Sequence, residues 1–118
     1  MGDAVIVTVP IPLPSLANMR GHWSKKAGVV KRTRGAVTMY LGGGPRPSLP
    51  CVVTITRVAP FQLDTDNAVS SMKAARDAVA QWLGIDDRDP RVDWRYAQAK
   101  GKPARVVIEV ATMTTGAP

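Results

Sequence analysis

One stretch limits the possible folds more than any other. From Asp66 to Leu83 the chain offers about five helical turns with no proline and no glycine, and the runs "CVVTITRVAP" and "RVDWRYAQ" lie on either side of it. Asp66 or Asn67 can cap this helix, because a short side-chain acceptor reaches the free N–H groups of the first turn, and Gly84 can end it in the left-handed region. Val69, Met72, Val79 and Leu83, filled in by Ala75, Ala80 and Trp82, share one stripe, while Ser70, Lys73, Asp77 and Gln81 take the other side. A helix with one broad apolar stripe must bury it, so the flanking strands are expected to form the sheet it packs on.

The remaining segments supply further layers of the same kind. "AVIVTV" at 4–9 reads as a strand, and "PIPLPS" at 10–15 must leave the sheet because proline has no N–H for the ladder. Ser24 to Leu41 is helix-compatible, with Ala27, Val30, Ala36, Val37, Tyr40 and Leu41 on an inner face. "GGGPRPSLP" at 42–50 is a turn or loop, and further strands are expected over 51–60, 91–98 and 104–112, with Val92, Trp94 and Tyr96 on one face. The order β-α-β-α-β-β predicts one small α+β domain over 1–113, a mixed sheet of about four strands with two α-helices, and a frayed tail at 114–118. No apolar run approaches the roughly 18 residues of a membrane span. The start carries an early acid and alternation in place of a secretory signal, so a cytoplasmic location is expected. Cys51, alone and inside an apolar run, is expected to be a buried, inert thiol.

Charge turns the argument towards function. Sixteen Lys and Arg against nine Asp and Glu leave a net charge of +7, which favours a polyanionic partner because neutralised phosphates release condensed counterions. Arg20, Lys25, Lys26, Lys31, Arg32 and Arg34 crowd into residues 20–34 with no acid among them and with His22 and Trp23 alongside. That segment is expected to face nucleic acid; a solvated helical face is the plainer alternative. The acid is concentrated elsewhere: seven of the nine carboxylates lie between Asp64 and Asp93.

Asp64 and Asp66 stand two residues apart on a chain leaving a strand, so their side chains point the same way, beside the N-terminus of the next helix. Asp86 and Asp87 follow that helix, about 25 Å away along its axis, and reach the first pair only if the chain folds back. Carboxylates brought that close require a cation or raised pKa values, and oxygen-only ligands suit magnesium or manganese rather than zinc. A calcium loop does not fit, since starting it at Asp64 puts Val69 where the tight-turn glycine belongs and Ala75 where the bidentate glutamate belongs. With one His and one Cys, neither a zinc cage nor a Ser–His triad assembles. The structural alternative is a helix cap at Asp66 or Asn67, turn acids at Asp86 to Asp89, and a surface pair between Lys73 and Asp77.

The ordered set "DTDN" at 64–67, Lys73 and Asp77 in "KAARDAV", and "DD" at 86–87, preceded by "PLPSLAN" at 12–18, resembles the RusA family of phage and prophage Holliday-junction resolvases. The resemblance covers most of the chain. It implies a RusA-like α+β fold, a homodimer, and magnesium-dependent cutting of four-way DNA junctions by paired, symmetric phosphodiester cleavage in phage recombination and repair, with manganese as a possible substitute. It implies Asp64, Asp66 and Asp87 as acidic metal-holding residues and Lys73 as the site lysine. Lys73 stands one helical turn further from the motif Asn than in the family's best-known bacterial member, while the Lys73–Asp77 spacing fits the family. A DNA-binding protein of the same fold without the chemistry is the second expectation.

Overall fold

A computed structural model describes residues 4–16, 23–43 and 45–113. The elements follow the expected order: β1 (Ala4–Val9), α1 (Trp23–Leu41), β2 (Cys51–Ala59), α2 (Thr65–Leu83), β3 (Val92–Lys100) and β4 (Arg105–Thr112). They form a small α+β domain whose sheet has four strands in the order β1-β4-β2-β3. β4 runs antiparallel to both β1 and β2, and β3 runs parallel to β2, so the sheet is mixed. The parallel β2–β3 pair needs a crossover connection, and α2 supplies it.

Alternation decides which face of the sheet the helices cover. Cys51, Val53 and Ile55 of β2, Val106, Ile108 and Val110 of β4, and Val9 and Val92 at the margins are buried against Val37, Leu41, Met72, Ala75 and Val79 of the helices. The other face carries Ile6, Thr54, Thr56, Val107 and Glu109, none of them buried. Burying one β-branched or leucine side chain stabilises by about 1.5–3 kcal/mol, so this one-sided core carries most of the fold's apolar driving force. Cys51 is fully buried, and burial, then the Asp89 charge, push its thiol pKa up, in keeping with an inert residue.

Several boundaries and faces differ from expectation. α2 begins with Asp64 as its N-cap, not Asp66 or Asn67; the Asp64 side chain makes no capping hydrogen bond, and the first helical bond runs from the Ala68 N–H to the Asp64 carbonyl. Gly84 ends the helix as expected, at φ 75°. α1 buries Thr33, Val37 and Leu41, while Ala27 and Tyr40 are exposed. Those three form an i, i+4, i+8 ridge, the row that packs into a neighbouring helix; the basic, weakly amphipathic sequence of α1 leaves the angle of that row undetermined. β3 runs two residues beyond its expected end. Arg20 and the tail at 114–118 lie outside the described residues.

A candidate functional site along α2

The two ends of α2 position their acids by different routes. Asp64 and Asp66 stand exposed where the chain passes from β2 into the helix. Asn67 Nδ2 donates to Asp64 Oδ1 at 2.6 Å, which fixes one oxygen of that carboxylate. The turn ahead of them is tied down by two side chains: buried Arg57 donates from Nη1 to the Phe61 carbonyl at 2.9 Å and from Nε to the Leu13 carbonyl at 2.8 Å. Burial holds the Arg57 pKa below its usual value. Gln98 of β3 accepts the Leu63 N–H at 2.9 Å and donates back to the Leu63 carbonyl at 2.7 Å.

At its far end the chain folds back along α2. The Asp87 carbonyl accepts from Arg76 Nη2 at 3.0 Å and from Trp94 Nε1 at 3.1 Å, and the Asp87 carboxylate lies 3.8 Å from the same guanidinium. Arg76 also donates to the Tyr96 hydroxyl at 2.9 Å and stacks over the Trp94 ring at 5.1 Å. Asp87 therefore shares a cavity of about 160 Å³ with Val69, Ser70, Lys73, Arg76 and Tyr96. That level is one to three turns beyond Asp66, far less than the length of the helix. Lys73 and Asp87 line one cavity; Asp64, Asp66 and Asp87 do not gather, and among the described residues no three His, Cys, Asp or Glu form a metal-holding group.

Asp66, Ser70, Lys73 and Asp77 are spaced i, i+4, i+7 and i+11, which returns each to within about 40° of one line along the helix. This line ends at a second, open cavity of about 310 Å³ lined by Asp77, Gln81, Ile85, Asp86, Asp87 and, from α1, Arg34. The basic helix and the acidic loop thus border the same hollow. Lys25, Lys31 and Arg32 are also exposed on α1 and Lys26 is half-buried.

The other loop acids make the turn itself. Asp86 accepts the Arg88 N–H at 2.9 Å, and that bond, followed by one with the Asp87 side chain, holds its carboxyl below the usual range. Asp89 accepts the Arg91 backbone N–H and pairs with the Arg91 guanidinium at 2.7 Å; the guanidinium bond first, then the backbone bond, hold its pKa at about 2. Arg57, Arg76, Trp94 and Gln98 had no motif to reveal them, because their roles come from contacts 35 or more residues away or from a turn whose path the sequence leaves open.

In donor chemistry the site suits a hard divalent cation in part. Asp64 and Asp66 offer exposed carboxylate oxygens of the kind that hold magnesium together with water and phosphate; Asp87, tied to Arg76, stands apart from them.

No protein-family model matches the chain. It is similar to an uncharacterized protein of Xylella fastidiosa (strain Temecula1), 35% identical over 94 residues that cover 70% of this chain and 60% of the other. The chain thus spans about three-fifths of the length of that relative.

Proposed function

We propose that this chain is a magnesium-dependent endodeoxyribonuclease of the RusA type, cutting four-way DNA junctions as a homodimer in the cytoplasm of the bacterial host. One observation carries the reading: Asp87, which follows α2, lines one cavity with Lys73 and another with Arg34 of the basic helix, so acid, site lysine and basic surface adjoin. A nuclease needs this juxtaposition, since the phosphate backbone must approach carboxylates that repel it unless cations lie between them. Asp64 and Asp66 would hold the magnesium ion, whose chemistry is to polarise the phosphate and lower the pKa of water.

The remaining steps belong to the chain's own groups. Lys73, beside Asp87, would place a positive charge where the phosphate oxygens gain negative charge. Arg76 keeps Asp87 and its loop against α2. Lys25, Lys31, Arg32 and Arg34 would take up flanking phosphates. Two chains related by a two-fold axis would give the paired, opposed cuts that a symmetric junction requires.

A second reading, junction binding without cutting, is favoured by the separation of Asp87 from Asp64 and Asp66. Incubating a synthetic four-way junction with the wild type and with Asp66→Asn in magnesium separates the two. Cutting by the wild type alone is the expected result, with the variant slowed on the order of 100-fold or more. Equal activity of the two, or junction binding by the wild type without nicking in magnesium or manganese, removes the catalytic reading.

A further inference from the structure

The turn between β2 and α2 presents a phenyl ring to solvent: Phe61 is 82% exposed, three residues ahead of Asp64. An exposed phenylalanine on a loose loop would need no explanation, but this loop is fastened. Arg57 holds the Phe61 carbonyl, and Gln98 holds both the N–H and the carbonyl of Leu63. Arg57 is only 8% exposed and is fixed in turn to the Leu13 carbonyl, so the ring stands on a backbone anchored to the buried end of β2. Holding a ring in water forfeits the free energy that its burial would release, and a fastened backbone reduces the ordering cost of any contact the ring makes.

We propose that Phe61 is a stacking platform for an unstacked nucleobase beside the phosphate to be cut, and so selects branched over intact duplex DNA. This rests on the reading of the chain as a DNA-acting protein. The neighbouring charges favour a base over any other part of the ligand: Asp64 and Asp66, three and five residues further along the chain, are exposed and oppose a bare phosphate, but not an uncharged aromatic face. Every base offers such a face, so the contact requires no sequence. Bases inside a duplex are already stacked on their neighbours; those at a branch point or in a single strand can be splayed onto the ring.

The test measures binding in EDTA, so that cutting plays no part, using a four-way junction with 2-aminopurine at the branch point and an intact duplex of the same composition. Phe61→Ala is expected to bind the junction roughly 5- to 150-fold more weakly and to lose the wild type's change in 2-aminopurine fluorescence, with duplex binding unchanged. Phe61→Tyr should keep both properties, while Phe61→Leu, which keeps apolar bulk without a π-face, should behave as Ala. Equal junction affinity of Phe61→Ala and wild type overturns the proposal, as does full retention by Phe61→Leu or an equal loss on duplex. Loss of self-association in place of junction binding would make the ring a protein contact and overturn it as well. A wild type that binds no DNA removes the DNA-acting reading and this one with it, whereas a wild type and Phe61→Ala that bind and cut junctions alike remove only this one.

Discussion

The two ends of α2 are both rich in aspartate, yet they use it in opposite ways. At the C-terminal end the carboxylates are bound up in the chain: Asp86 and Asp89 close turns on the N–H groups of Arg88 and Arg91, and Asp87 is gripped by Arg76. At the N-terminal end the backbone is what is gripped, by Arg57 and Gln98, while the Asp64 and Asp66 side chains stand in solvent. Acid that holds a fold and acid held out by a fold differ in what they leave for a ligand. The second kind keeps most of its lone pairs open, Asp64 giving up one oxygen to Asn67, which is why Asp64 and Asp66 are the better candidates for a cation and the loop acids serve chiefly as a frame for Asp87.

Substitutions can break this contrast, and the largest effect is expected at Arg76. Arg76→Ala removes two hydrogen bonds and the stacking on Trp94 and leaves the Asp87 loop held by the Trp94 indole N–H in place of two donors. Urea unfolding should show a loss of about 2–4 kcal/mol, and Arg76→Lys should recover little of it, since a single ammonium cannot span Tyr96, Asp87 and the Trp94 face together. Gln98→Ala comes next, at about 1–2 kcal/mol, with faster hydrogen exchange at the Leu63 amide as its local signature. Asp64→Ala should cost at most about 0.5 kcal/mol, because this N-cap makes no side-chain capping bond, and yet it should abolish magnesium-dependent cutting. A stability loss at Asp64 as large as that at Arg76 would erase the distinction between the two ends.

The smallest expected effect is one of pH. The folded Asp89 pKa, about 2, lies below its ordinary 3.8. The stability it contributes is therefore fully present above about pH 4 and is lost as the pH falls from there through about 2. Asp89→Asn should therefore lower thermal stability slightly above about pH 4, near neutrality included, and converge on the wild type as the pH falls through about 2, which flattens the acid limb of the profile. Because the pair is exposed to solvent and salt, raising the ionic strength should shrink the difference further.

The order of elements was legible because each depends on local pattern: β-branched alternation in β2 and β4, the apolar stripe of α2, and Gly84 at its end. The N-cap was not, since Asp64, Asp66 and Asn67 are all competent caps and the choice among them was settled by where Gln98 and Arg57 hold the preceding turn. The inner face of α1 was misjudged at Ala27 and Tyr40 because the ridge that contacts α2 depends on the tilt of one helix against the other, which no local period records. In the candidate site, the family resemblance named Lys73 and Asp87 as separate site residues, and both line one cavity. What holds them there, Arg76 with Trp94 and Tyr96, joins α2 to the neighbouring strand and has no signature in either segment alone.

The strand order has a consequence for how the molecule breathes. β1 and β3 are the sheet margins, whereas β2 and β4 are hydrogen-bonded on both sides. Backbone amides at the centre should exchange with solvent last, and fraying should begin at the margins. The turn carrying Phe61 and Asp64 springs directly from β2, so it is rooted in the slowest-opening strand of the domain, while the basic helix follows a marginal one. Thermal motion can thus loosen the strand that leads into the basic helix and leave undisturbed the turn that carries the ring and the first acids.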